Sequence, residues 1–547
     1  MRSGRRFLSA VLLLSFIASG SAFAQSTSQA VYSAPKEAID KIREEGLGKN
    51  SQVMQTLSYM TDVIGGRLTG SPNMKRANEW TRDTMIKWGM NGRLEAWGPF
   101  GRGWSLERFT AQVESPQLIP LIAYPKAWSP STDGLVKSEA VLFEARTDAD
   151  FDKYKGKLKG KIVFGTNVRP LKPIDKPLMQ RLSDEELAKM ANAPAPDPSA
   201  DPFGIKPEQI KQFVEMINFQ ARKMRFIKSE GAALFVETSG GSGGTMFVQG
   251  ASTGMELSPN TKSIEDFFTD PAFNPQNPAA ADAMMPQLTV AAEDYNRIVR
   301  MIGFDQKPVL SVEIKANFSD KDQMSYNTIA EIPGSDPSLK DEIVMLGGHL
   351  DSWHSSTGAT DNGAGCAVAM EAARIIIATG QKPRRTIRVA LWSGEEQGLY
   401  GSAAFVKQHV GEKTGGNLVK GAEWDKISAY YNLDNGTGKI RGVYLQGNAA
   451  VKPIFAKWLE PFADLGAQTL TLANTGGTDH LSFDMVGVPG FQFIQDPVEY
   501  ETRTHHSNQD NFDRIQAEDM KQAATIMAAF VYQTAMMDGK LPRKASK

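Results

Sequence analysis

The 547 residues contain six histidines, and all of them lie beyond residue 345, at positions 349, 354, 409, 480, 505 and 506. Cys366 is the only cysteine, so neither an intramolecular disulfide nor a thiolate metal cluster is available. Any metal chemistry must therefore use imidazole and carboxylate donors. Acidic motifs stand among the histidines: Gly348-His349-Leu350-Asp351, Thr360-Asp361-Asn362-Gly363, Gly394-Glu395-Glu396, Asn432-Leu433-Asp434 and His505-His506-Ser507 with Asp510. A lone histidine at a strand end is usually a hydrogen-bonded structural residue, and paired glutamates are usually a solvated face. Carboxylates buried together, however, repel one another and cost several kcal/mol unless a cation joins them. Imidazole and carboxylate suit zinc, and two-metal sites hold their ions about 3.5 to 4 Å apart.

The elements that must position these groups follow from the hydrophobic pattern. After Asn327 the chain alternates strand and helix, which points to a mostly parallel α/β sheet sandwiched by helices. Ile343–Leu346, Thr386–Trp392 and Ile427–Leu433 read as strands, and Gly363–Thr379 and Gln397–His409 as helices. On the first helix the only charges, Glu371 and Arg374, sit three apart, which places them on one outer face. Three of the motifs fall just beyond strand ends, where open α/β sheets bind their ligands.

Upstream, residues 35–90 read as amphipathic helices with Val53, Leu57 and Met60 on one face. From about residue 120 the texture becomes β-rich, with short runs such as Ala140–Phe143, Ile162–Phe164 and Ala232–Val236. The Pro-rich stretch Ala191–Pro207 reads as an exposed excursion. At the start, Arg2, Arg5 and Arg6 precede an apolar run from Phe7 to Ala18 and the small residues Ala22 and Ala24. This is the pattern of a signal peptide cleaved between Ala24 and Gln25, too short to span a bilayer as a retained anchor. The expected location is periplasmic or secreted. Sixty-one basic and 62 acidic residues leave a net charge of -1, which argues against a nucleic-acid binder.

The set His349-x-Asp351, Asp361-Asn362, Glu395-Glu396, Asp434 and His506 resembles the co-catalytic zinc exopeptidases, a family that includes secreted leucine aminopeptidases and glutamate carboxypeptidases. The neighbourhoods of His349 and His506 look most like its plasma glutamate carboxypeptidase branch. The resemblance implies two zinc ions, other divalent metals also suiting the donors. It assigns His349 and Asp434 to one ion, Glu396 and His506 to the other, and Asp361 to both. It makes Glu395 the general base and has the Asp351 carboxylate accept the other ring proton of His349. A strained peptide at Asp361-Asn362 is part of the pattern, while Asp479, Asn362 and His505 take outer or substrate-orienting places.

The segment from 126 to 315 resembles an inserted, β-rich protease-associated domain, which leaves 25–125 and 316–547 as a discontinuous catalytic domain after the signal peptide at 1–24. The activity implied is hydrolysis of a terminal peptide bond in a peptide or dipeptide, from either the amino or the carboxyl end, and the resemblance leaves room for a homodimer. Two other readings use the same scaffold: an acyltransferase of the glutaminyl cyclase type, with one zinc, and a non-enzymatic binding protein that has lost its ligands. The intact ligand set argues against both.

Overall fold

A computed structural model describes residues 31–197 and 206–544, so the expected signal peptide and its cleavage site lie outside the described residues. The first of two eight-stranded sheets runs in the order Asn91–Trp97, Ser325–Ile332, Thr386–Trp392, Ile343–His349, Ile427–Asn432, Gly490–Gln495, Ile440–Tyr444, Thr469–Thr471. Its centre is parallel: Ile343–His349 pairs in parallel with both Thr386–Trp392 and Ile427–Asn432. Apart from the half-buried Thr386 at one end, these three strands are buried along their length, as the continuous apolar runs require of a sheet covered on both faces. Their carboxyl ends lie side by side and carry His349, Glu395-Glu396 and Asp434.

One face of this sheet is covered by the helices Ala364–Ala378 and Ala517–Met536, whose alanine-rich surfaces permit close approach and whose side chains are almost entirely buried. Among the described residues no helix is long and apolar enough to cross a membrane. Glu371 and Arg374 are not on an outer face. Both are buried, paired at 2.7 Å, and covered by the N-terminal helices through Ser51, the Gln52 amide and Glu45. Periodicity within one helix could not show that a second helical layer lies on that side. The second expected helix also starts later, at Tyr400, because Gly398 and Leu399 hold positive φ and turn the chain first.

Asn91–Trp97 and Ser325–Ile332 pair antiparallel, so everything between them is inserted between two neighbouring strands. The second sheet occupies that insert, from Gly103 to Ser319, and so begins and ends outside the expected span of 126–315. The long strands Gly103–Ser115 and Val309–Ser319 carry the chain in and out side by side, and neither shows a composition change where the insert starts. The insert is mixed, not simply β-rich. Its sheet is flanked by the helices Pro207–Ser229 and Ala292–Gly303, and Ile162–Phe164, Leu234–Thr238 and Gln287–Val290 pair in parallel. The described part of the excursion, 192–197, mixes exposed and half-buried residues, and the chain before it is docked: Gln180 and Val498 exchange main-chain hydrogen bonds of 2.8 and 2.9 Å.

Arg67 carries the loop between His349 and Asp361. Its guanidinium is fully buried and donates to the carbonyls of Leu350 (2.6 Å), Thr357 (2.7 Å) and Gly358 (2.8 Å). Burial pulls its pKa down, and the nearby Asp510, Asp351 and Asp361 oppose that effect. Replacing Arg67 by Met leaves the Leu350 and Thr357 carbonyls without this donor, each costing about 1 to 3 kcal/mol. It also takes one of two donors from Gly358 O, which keeps the Gly363 amide at 3.0 Å. Arg67→Met should therefore lower unfolding stability by about 2 kcal/mol or more in a urea titration, whereas a midpoint equal to that of the parent would show that the loop does not need it.

Candidate metal centre

His349 is the last residue of its strand. Its Nε2 lies 3.2 Å from Asp361 Oδ1 and 3.4 Å from Asp434 Oδ2. On the other side of Asp361, His506 Nε2 lies 3.3 Å from Oδ2 and 2.9 Å from Glu396 Oε2. Asp361 thus turns one oxygen to each histidine. Donor atoms on a tetrahedral zinc with bonds of about 2.0 to 2.1 Å stand about 3.3 Å apart, which matches the spacing in the first group and one of the two distances in the second, the other, 2.9 Å, being shorter. Asp361 Oδ2 and Glu396 Oε1 are buried without a hydrogen-bond partner, and a void of about 10 Å³ is bordered by Asp361, Glu396 and His506. The residues present fit a pair of bridged cations.

The electrostatics agree. Burial pushes the Glu395 and Glu396 carboxyls well above their ordinary range, and neighbouring carboxylates push them further. Asp361 is likewise buried, but His349, His506 and His505 hold it well below the usual range. Burial opposes the charge on His349, yet Glu395 and Asp434 overcome it and raise its pKa. The cluster must hold either protons or cations to be stable at this depth.

Each donor is fixed by its surroundings. The Asp361-Asn362 peptide is cis, at the position where the resemblance implies a strained peptide. Asp510 accepts from the amides of Thr360 (2.5 Å) and Asp361 (3.1 Å), and burial beside Asp361 raises its pKa to about 7. The Asn362 amide donates to Leu433 O at 2.8 Å, which ties the bridging residue to the Asp434 loop. Glycine is needed at 394, where φ is +75° and a Cβ would meet Trp97 at 2.8 Å, for the chain to turn between the strand and Glu395.

Asp351 meets the His349 ring through two groups: its main-chain carbonyl lies 3.0 Å from Nδ1 and its carboxylate 3.7 Å. The carboxylate also accepts from Thr69 Oγ1 (2.9 Å) and from the amides of Glu395 and Glu396 (3.3 Å each), so it orients the paired glutamates as well.

His505 Nε2 is 3.9 Å from Asp361 Oδ2, and its ring stacks on Tyr500 and touches that of His506. Asp479 is fully buried with neither oxygen hydrogen-bonded, its pKa raised to about 7 chiefly by burial, and it adds to the pressure on Glu395. His354, half-buried, and His480, buried, are both pushed to about 4 by desolvation, which keeps them neutral. Reasoning on sequence missed Arg67, Thr69 and Gln249. The last lies in the insert, with its amide 3.0 Å from His506 Nδ1.

Residues 327–531 match the model of peptidase family M28. Over this segment the chain is similar to peptidase family M28. It is 32% identical over 260 residues to carboxypeptidase Q of Mus musculus, an alignment covering 47% of this chain and 52% of that protein, so it spans about half the length of this relative. Among solved structures, a peptidase M28 precursor from Shewanella amazonensis aligns over 93% of this chain and 99% of its own, with a TM-score of 0.60 and 23% identity. A zinc aminopeptidase from Bacillus subtilis aligns over 89% and 95%, with a TM-score of 0.52 and 19% identity. At these identities the structures establish the mixed α/β fold.

The two glutamates should separate cleanly. Glu395→Gln should keep the metals and slow turnover by about 10² to 10⁴, the usual general-base contribution, whereas Glu396→Gln should weaken one metal. Elemental analysis of both variants checks this, and equal metal loss in the two would show the roles to be misassigned.

Proposed function

We propose that this protein is an exported di-zinc exopeptidase. The observation that carries the reading is the placement of Asp361, one oxygen toward His349 and Asp434 and the other toward His506 and Glu396. His349, Asp434 and Asp361 would hold one ion, and His506, Glu396 and Asp361 the other. Two such ions supply Lewis acidity toward a carbonyl oxygen and a lowered pKa for water. Glu395 Oε2, 3.8 Å from His349 Nε2, faces the same space and serves as the base: it takes a proton from the attacking water and returns it to the leaving amine. Burial and neighbouring charge raise its pKa, which suits a group that must both accept and give up a proton near neutrality.

The substrate side is a cavity of about 570 Å³ where the insert meets the peptidase segment. Its walls include Trp128, Phe219, Phe268, Phe273 and Trp353, and it reaches Glu396. These walls fit a large apolar residue next to the scissile bond. Gln397, buried with both amide atoms unpartnered, offers a donor and an acceptor to a peptide backbone. The one lysine in the lining, Lys126, is held at 2.6 Å by Glu237, which leaves no unpaired cation in the lining to hold a free carboxylate. We read the substrate as a peptide or dipeptide with a free amino end. The insert acts as a wall of the substrate site, in keeping with a protease-associated role, and the acyltransferase and non-enzymatic readings have no observation in their favour. The export signal rests on the sequence pattern of residues 1–24.

A peptide library with amino-blocked and carboxyl-blocked members, digested and followed by mass spectrometry, tests the choice of end. Cleavage of carboxyl-blocked but not amino-blocked members, with preference for Phe or Leu at the first position, is expected. Turnover of only the amino-blocked set would reverse the assignment.

A further inference from the structure

The insert reaches the second half of the metal centre directly. Val248 N–H donates to His506 O (3.1 Å), Asn508 N–H to Met246 O (2.9 Å) and Met246 N–H to Asn508 Oδ1 (2.7 Å), and Phe247 pairs with Ser507 in an antiparallel bridge. Met246 and Val248 are fully buried, so this junction is packed as well as hydrogen-bonded. Thr502 on the other flank donates to Leu178 O at 2.6 Å. The loop that presents His506 is thus held from two sides by chain that lies between strands of the first sheet. From the same segment the Gln249 side chain meets His506 Nδ1 at 3.0 Å.

We propose that Gln249 is a positioning residue for His506, and that its amide serves both tautomers of that ring. This rests on the reading of His506 as a metal ligand. As placed, Gln249 Nε2 donates to Nδ1, which leaves the ring proton on Nε2, where it faces Glu396 Oε2 at 2.9 Å. Once Nε2 gives its lone pair to a cation, the proton must sit on Nδ1, and the partner there must be an acceptor. A half-turn of the amide presents Oε1 in place of Nε2, so one side chain satisfies the ring with and without the ion. A hydrogen bond of this kind fixes the orientation of a ligating imidazole and raises its basicity, and its loss commonly costs 10- to 100-fold in metal affinity. Gln249 is exposed and His506 half-buried, which sets the expected effect at the lower end of that range.

The test is a zinc titration of the metal-free full chain against a chromophoric chelator, with Gln249→Leu, Gln249→Glu and His506→Ala beside the parent and a thermal melt to confirm folding. Gln249→Leu should weaken the second zinc about tenfold. Gln249→Glu, which can only accept, should restore or tighten it, a rescue that a packing role would not produce. If His506→Ala loses one zinc while both Gln249 variants bind like the parent, the inference about Gln249 is wrong and the metal assignment stands. If His506→Ala keeps both ions, the assignment itself fails. Equal weakening in the Leu and Glu variants would reduce Gln249 to a packing residue.

Discussion

Repulsion among four carboxylates is the constraint to which the rest of the structure answers. Asp361, Glu395, Glu396 and Asp434 converge on two imidazoles, and their side chains are at most 10% exposed. Left as anions in a medium of low dielectric they would drive the strand ends apart. The placement of Asp361, with one oxygen toward each histidine, would let positive charge on both sides offset this cost. The sheet contributes by setting three parallel strand ends next to one another, so that His349, Glu395-Glu396 and Asp434 arrive together from positions far apart in the chain.

The supports around the cluster hold main chain more than side chain. Arg67 closes the loop after His349 through three carbonyls, Asp510 grips the amides of Thr360 and Asp361, and the Asp351 carboxylate gathers the amides of the two glutamates. Such contacts fix the directions in which the donors point without competing for the metal face. His506 is the exception in its dependence on distant chain, because its loop is bound to the insert on both flanks and its ring to Gln249. A deletion of the insert would for that reason remove a wall of the substrate cavity and a support of the metal centre together.

How much of this was legible in the sequence depends on what each residue bonds to. Asp361 and His506 read as loop residues and entered through the family resemblance. His349, Glu396 and Asp434 could be read as candidate ligands because each is a rare or acidic type just past a buried apolar run, and parallel strands bring such positions together. Arg67 could not, since its partners are backbone carbonyls that have no identity in a sequence. Asp351 was placed beside the correct histidine, but spacing alone does not say that its carbonyl lies closer to the ring than its carboxylate. Glu371 and Arg374 were taken for a solvated pair because the pattern of one helix is silent about what packs on it. Gln249 carried no signal at all, being 257 residues from the ring it meets and set in an ordinary strand-like run.

The central claim is that one carboxylate, Asp361, joins two metal sites. Its most direct test is the zinc content of the purified protein and of Asp361→Asn, measured by elemental analysis after removal of loosely bound metal. The account predicts two zinc ions per chain in the parent and loss of both affinities in the variant, with turnover abolished by a strong chelator and restored by zinc. A parent that is fully active with a single ion, or a variant that keeps both, would contradict it.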